Sequence, residues 1–343
     1  MSNLSAAQLD AVAHLMAEAG TPTAGPLEAV LIAGGRSNLT YAITDGARRW
    51  VLRTPPLAGR TASAHDVARE HRVTAALMGT DVPVADAVLI HEAEDVLGVP
   101  FTVSAFVDGV AIRTQADLAT YDDQGLAVVM DSMLTTLATL HRVDHVAVGL
   151  GSFGRPDGYA ARQLRRWSGQ WETVGDQRLD SLAQEVAAKL AAAVPEQRST
   201  SVVHGDYRID NALLVAPGSP DAGTVAAVVD WELSTIGDPI ADVAMMCAYR
   251  HPCFDLVIGA PSAWTSQRLP TVEDLAAGYE RVGGVALDDW DFHQALGCYK
   301  VAVISAGIDH RRRAGSGTGP GFDTAGQAVE PYLELARSSV LTA

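Results

Sequence analysis

The chain has 343 residues, 48% of them apolar and 19% charged, with 25 Lys and Arg against 41 Asp and Glu and a formal charge of -16. That length exceeds what a single core usually reaches, so two lobes are expected. The acidity argues against a nucleic-acid partner, which calls for a basic face.

Residues 1–110 carry 7 basic and 12 acidic groups and the rest carry 18 and 29, so the acid is spread evenly and names no partner. It is compatible with a cationic substrate. The cysteines, Cys247, Cys253 and Cys298, show neither a C-x-x-C pair nor zinc spacing, which reads as reduced thiols in a cytosolic protein. No charged segment followed by an apolar one marks a signal peptide. No uncharged apolar run reaches the roughly 18 residues of a membrane span, since the long apolar stretch at 124–140 contains Asp131. The expectation is a cytoplasmic protein with no membrane partner; oligomeric state is left open.

In chain order, LSAAQLDAVAHLMAEAG opens as a helix, with Ser5 and Gln8 at capping-box spacing and Gly20 as its stop. After a Pro/Gly break at 22–26 come three strand-like runs, LEAVLIAGG, LTYAITDG and RRWVLRTPP, the last two joined around Asp45-Gly46. Helical spacing returns over 62–78, followed by the strand candidates ADAVLIHEA and VPFTVSAFV. From about 114 the character becomes helical, with long amphipathic runs at 123–141 and 180–193 and a Gly-punctuated, Arg/Trp-rich stretch between them. Short strands VVHGD, NALLV and TVAAVVDWE follow, then helices at 239–248, 272–282, 289–312 and 324–339. The expected architecture is α+β, with a small sheet-rich lobe over 1–107 and a larger helical lobe over 108–343. Regular βα alternation, which a Rossmann fold or TIM barrel requires, is missing.

The chemistry concentrates in SVVHGDYRIDNALL, where acidic and amide groups crowd a turn between apolar strands. Burying them costs several kcal/mol unless they are paired or bind a metal. His204, Asp206 and Asn211 have the H-x-D-x-x-x-x-N spacing of a kinase catalytic loop, whose Asp takes the proton of the substrate hydroxyl and whose Asn ligates Mg²⁺. Asp230, ending the run VAAVVD, is the expected second metal ligand, and oxygen ligands suit a hard octahedral cation. The plain alternative, a turn closed by Asp and Asn side chains, does not account for Asp206, Asn211 and Asp230 together.

HGDYRIDNALL followed by VVDWELSTIGDPIADVA resembles the aminoglycoside phosphotransferase family, small-molecule kinases with a protein-kinase-like bilobal fold. The resemblance is strongest to a branch that includes the kinase-like domains fused to some acyl-CoA dehydrogenases, and it spans about 25–340. It implies ATP or GTP, Mg²⁺ and transfer of the γ-phosphoryl group to a hydroxyl of a small-molecule acceptor. On that reading IAGGRSNLTYAI covers the phosphates, with Gly34 and Gly35 allowing close backbone approach and Ser37 and Asn38 donating to phosphate oxygens. No G-x-x-x-x-G-K-[ST] is present, which weighs against a P-loop enzyme.

Arg53, in RRWVLRTPP, stands where the usual kinase lysine is expected; a guanidinium still binds phosphate, and bidentately. Glu70 is its expected ion-pair partner. The run PFTVSAFVDGV is the expected hinge, with backbone around Ser104, Ala105 and Phe106 meeting the purine. Asp242, in GDPIAD, is expected to brace the catalytic loop, and Glu232 to have a structural role or to support the metal's ligands rather than join them. Arg162, Gln163, Arg166 and Trp167 share a helix face that either docks on its own lobe or receives an anionic or ring-bearing acceptor. His310-Arg311-Arg312-Arg313 suits the negative end of a helix.

Two other functions are weighed. GDYRID also matches part of a dinuclear metallophosphoesterase motif, but the D-x-H and G-N-H-[DE] segments such a hydrolase needs are missing. A kinase-fold nucleotide-binding protein of weak catalysis is supported by Arg53 alone. The acceptor expectation stays split between an aminoglycoside, as the family name suggests, and a hydroxyacyl-CoA or other hydroxylated metabolite.

Overall fold

A computed structural model describes residues 4–33, 38–56 and 66–340. In chain order the elements are α1 (Ala6–Glu18), β1 (Glu28–Ala33), β2 (Leu39–Thr44), β3 (Arg49–Thr54), α2 (Val67–Leu77), β4 (Ala87–His91) and β5 (Phe101–Ala105), then α3 (Gln115–Leu118) and α4 (Asp123–Arg142). They continue with α5 (Tyr159–Val174), α6 (Asp180–Ala192), β6 (Ser201–Val203), β7 (Ala212–Leu214), β8 (Val225–Val228) and β9 (Thr235–Gly237). The chain closes with α7 (Pro239–Ala248), α8 (Phe254–Ile258), α9 (Val272–Arg281), α10 (Trp290–Arg313) and α11 (Val329–Val340). It divides into two compact units, Met1–Gly109 with Ala226–Ser234, and Val110–Val225 with Thr235–Ala343. The class is α+β, with an antiparallel sheet toward the N-terminus and helices dominating the rest.

In the first unit the capping box expected of Ser5 forms: its Oγ accepts from the Gln8 N–H at 3.3 Å while its own N–H donates to Gln8 Oε1 at 2.9 Å. The helix stops at Gly20, whose φ of 83° is left-handed. Leu9, Val12 and Met16 of α1 share a core with Tyr41, Ile43, Trp50, Leu52, Phe101 and Val103 of the sheet. Each such side chain contributes roughly 1.5–3 kcal/mol on full burial.

The sheet order is β1-β2-β3-β5-β4, antiparallel throughout. Its β2–β3 hairpin turns at Asp45, whose Oδ1 accepts from the N–H groups of Ala47 at 2.9 Å and Arg48 at 2.7 Å. Along β3 the period of two puts Trp50 and Leu52 into the core and leaves Arg53 on the opposite face, in register with Thr40 and Thr102. A one-residue slip would bury the guanidinium in the core instead.

In the second unit α4 starts at Asp122, whose Oδ1 accepts from the Gly125 N–H at 2.7 Å. It buries Val129, Met130, Met133, Leu137 and Leu140. The 24-residue α10 is buried on most sides over 292–308 and packs against α5, α7 and α11. β6 pairs antiparallel with β9, Val202 opposite Ile236.

The Arg/Trp-rich stretch forms the helix that its shared face implied, α5, between the Gly158 and Gly175 caps and with Gly169 as its one interior glycine. Two departures from the sequence expectations have local causes. Two elements, β9 and α8, are 3 and 5 residues long, too short to show a period. The strand read through VAAVVDWE ends at Val228, because Asp230 takes a left-handed φ of 66° that no strand continues.

Candidate active site

Two clusters carry chemistry, one in each unit. In the second unit the chain leaves β6 and turns sharply at Gly205, whose φ is 84°. Buried Asp242, in the first turn of α7, holds that turn: Oδ2 accepts from the His204 N–H at 2.6 Å and Oδ1 from the Gly205 N–H at 2.8 Å. Behind it, buried His141 faces Asp242 through Nε2 at 3.3 Å and the Tyr279 hydroxyl through Nδ1 at 2.8 Å. Burial pushes the Asp242 carboxyl up, but His141, the His204 ring and the His204 N–H outweigh it and hold the group below its ordinary range.

Asp206 sits just beyond this brace. Asn211 Nδ2 donates to the Asp206 carbonyl at 2.8 Å and to its Oδ2 at 3.1 Å, which leaves the amide oxygen of Asn211 as that side chain's remaining ligand atom. Arg208 Nη2 also reaches Asp206 Oδ2, at 3.1 Å, and Nη1 lies 3.3 Å from Asp210. Its guanidinium rests over the rings of Tyr249 and Phe254, each 5.2 Å from the centroid. Burial would favour a neutral Arg208, yet Asp206 and Asp210 more than offset it and fix the cation. The carboxylate of Asp206 is thus oriented by a cation and an amide.

In the first unit Arg53 Nη2 lies 3.2 Å from Glu70 Oε1 and 3.5 Å from Asp230 Oδ1. Glu70 is 6% exposed, on the face of α2 that also buries Val67, Val73 and Leu77. Burial pushes its carboxyl up to about 7, with Arg53 pulling the other way. The segment carrying Asp230 is tied to α2 by Arg69, which donates to the Ser234 carbonyl at 3.1 and 2.9 Å.

Carboxylate oxygens of Glu70, Asp230 and Glu232 come within 4.8 Å of one another. An all-oxygen donor set of this charge suits a hard divalent cation. Asp230 is also a non-glycine residue in the left-handed region, a conformation that costs about 1–3 kcal/mol and concentrates at functional positions.

Of the other positions expected from sequence, Gly34, Gly35 and Ser37 lie outside the described residues. Asn38 is 3% exposed, and neither its Oδ1 nor its Nδ2 has a hydrogen-bond partner among the described residues. Ser104 and Ala105 end β5, but the N–H of Ala105 donates to Asp86 at 2.8 Å and that of Phe106 to Arg49 at 3.2 Å. A ligand meeting these two residues would find carbonyl oxygens, since both amides are engaged. His310, Arg311, Arg312 and Arg313 fall in the last turn of α10, where Arg312 and Arg313 pair with Asp309. His141, Tyr279 and Arg208 were not anticipated. Only Arg208 carried a signal, a cation between two aspartates in DYRID.

The profile of the "Phosphotransferase enzyme family" matches residues 28–296. Acyl-CoA dehydrogenase family member 10 of Mus musculus is 33% identical over 92% of this chain, which spans only 30% of that protein's length. A crystal structure from Ralstonia eutropha, described as a "putative aminoglycoside phosphotransferase", superposes with a TM-score of 0.83 at 30% identity, covering 97% of this chain and 98% of that one. A thermostable aminoglycoside phosphotransferase APH(4)-Ia, in complex with AMP-PNP and hygromycin B, shares the fold at a TM-score of 0.61 and 17% identity, over 96% and 98% of the two chains. Family profile, kinase-like fold and the Asp206–Asn211 loop agree: this chain belongs to the phosphotransferase enzyme family.

Proposed function

We propose that this chain transfers the γ-phosphoryl group of ATP or GTP to a hydroxyl of a small molecule, with Mg²⁺. The observation that carries the reading is the Asp206 carboxylate held by Asn211 and Arg208 on a loop that Asp242 anchors. Asp206 accepts the hydroxyl proton as the acceptor oxygen bonds to phosphorus and the bond to the nucleoside diphosphate breaks. Arg53, oriented by Glu70, binds phosphate oxygens under the 34–38 segment, and the backbone around Ser104 and Phe106 meets the base. Asn211 and Asp230 are the residues that would hold Mg²⁺, which when bound neutralises charge on the phosphates.

The AMP-PNP complex of APH(4)-Ia supports the nucleotide. The Ralstonia eutropha likeness favours an aminoglycoside acceptor, whereas the likeness to acyl-CoA dehydrogenase family member 10 favours a hydroxyacyl-CoA or related metabolite. Nucleotide consumption measured with ATP or GTP against aminoglycosides, macrolides and hydroxyacyl-CoAs tests the reading. Acceptor-stimulated turnover is expected. Nucleotide binding with no stimulation by any acceptor class would favour a weakly catalytic nucleotide-binding protein.

A further inference from the structure

The left-handed φ of Asp230, 66°, is a conformation that persists only where the surroundings over-determine it. Part of that support comes from the turn that follows. The Trp231 indole N–H donates to the Val228 carbonyl at 3.0 Å, and the Ser234 hydroxyl donates to the Trp231 carbonyl at 2.7 Å. Trp231 and Ser234 are both buried. These bonds are local, so they fix the shape of the segment but not its place. Its place is set at the two ends. Before Asp230, the Val228 N–H donates to the Pro83 carbonyl at 2.9 Å. After it, the Arg69 guanidinium forks onto the Ser234 carbonyl, with Nε at 3.1 Å and Nη2 at 2.9 Å.

Arg69 and Glu70 are neighbours on α2, and they brace two parts of one site. Glu70 Oε1 lies 3.2 Å from Arg53 Nη2, and the same nitrogen lies 3.5 Å from Asp230 Oδ1. A single turn of helix thus holds the phosphate-binding cation through one residue and the segment carrying Asp230 through the other. A charged donor strengthens the bond to the carbonyl, and the planar guanidinium sets its direction as well as its length. Residues that orient a metal ligand without touching the ion carry roughly 10–100-fold of its affinity.

We infer that Arg69 is a positioning residue for the divalent cation. By seating the Asp230 segment on α2 it sets the spacing between that carboxylate and Arg53, and so couples binding of the cation to binding of the nucleotide phosphates. The inference rests on the nucleotide and Mg²⁺ of the proposed function, and it gives Arg69 no contact with either. The sign of its effect marks the role. A guanidinium acting through charge alone repels a divalent cation, so its removal would tighten cation binding, whereas removal of a brace weakens it.

Calorimetric titration of the full chain with AMP-PNP, once in EDTA and once in saturating Mg²⁺, tests it, because two ligands coupled in one site raise each other's affinity by the same factor. In the wild type Mg²⁺ is expected to raise AMP-PNP affinity at least tenfold. R69M is expected to keep the affinity in EDTA within a few-fold, which also shows that it is folded, while its gain from Mg²⁺ falls below threefold. R69A repeats the test where R69M does not fold. R69K, which keeps a cation able to donate to the carbonyl, is expected to retain a gain between those of R69M and the wild type. Mn²⁺ titrated into the AMP-PNP-loaded protein and followed by EPR should bind R69M at least tenfold more weakly than the wild type. A gain in R69M equal to or above that of the wild type would overturn the inference alone, as would an equal loss of affinity with and without Mg²⁺ in folded protein. AMP-PNP binding that Mg²⁺ does not change in the wild type would overturn the Mg²⁺ of the proposed function, and the inference with it.

Discussion

Replacing Asp242 by Asn alters one atom of a fully buried brace, and the structure gives the size of the effect. The carboxylate accepts from two backbone N–H groups, at 2.6 and 2.8 Å. Hydrogen bonds to a charged acceptor contribute about 1.5–3 kcal/mol each, and a buried donor left without a partner costs about 1–3 kcal/mol. Asparagine keeps one oxygen but sets an NH₂ against the other N–H, so D242N should lose about 3 kcal/mol. At about 1.4 kcal/mol per factor of ten, the His204 and Gly205 amides should exchange with solvent roughly 100-fold faster in the variant. Misplacing Asp206 by an ångström or so should lower kcat by about 100-fold while nucleotide affinity changes little. The pH sign also follows. Asp242 is held below its ordinary value of 3.8, so its contribution is present above that pH and is lost as pH falls through the folded-state value. Wild-type exchange protection of those two amides in D242N, together with wild-type kcat, would refute the reasoning.

Glu70 carries the opposite pH signature. Its carboxyl is raised from 4.5 to about 7 by burial, so the folded state holds a proton that the unfolded state has lost. Between those values the wild type should become less stable as pH rises, by about 3 kcal/mol at roughly 1.4 kcal/mol per pH unit. E70Q should lack that slope in urea titrations at several pH values, and an equal slope in both proteins would mean Arg53 dominates. R53K should weaken nucleotide binding less than R53M, which should lower affinity at least tenfold by calorimetry; equal affinities in all three would remove Arg53 from the phosphate site. Adding a Cβ at Gly237 would place it 2.6 Å from buried Tyr159, so G237A should cost about 1–3 kcal/mol through overpacking. A wild-type melting temperature in G237A would show that β9 shifts freely.

Much of the fold was legible because its signals are local. The capping box at Ser5, the Asp45-Gly46 turn and the parity that turns Arg53 away from Trp50 all follow from neighbours within a few residues. That Asp206 and Asn211 meet was legible because their spacing in one short loop brings the two side chains within hydrogen-bond reach. The loop's brace was less so: GDPIAD pointed to Asp242, but His141 and Tyr279 complete the network from 101 and 37 residues away, and nothing near them in sequence marks them. Asp230 was read as a strand end, since no pattern of residue types announces a left-handed aspartate.

The central claim is that Asp206 activates an acceptor hydroxyl. Its most direct test is to follow the phosphoryl group itself, by ³¹P NMR of the acceptor product, in the wild type and in D206A and D206N. The account predicts a phosphorylated acceptor from the wild type, at least 100-fold slower formation in both variants, and nucleotide affinity within a few-fold of wild type in all three. Undiminished phosphorylation by D206A, with the nucleotide bound, would contradict it.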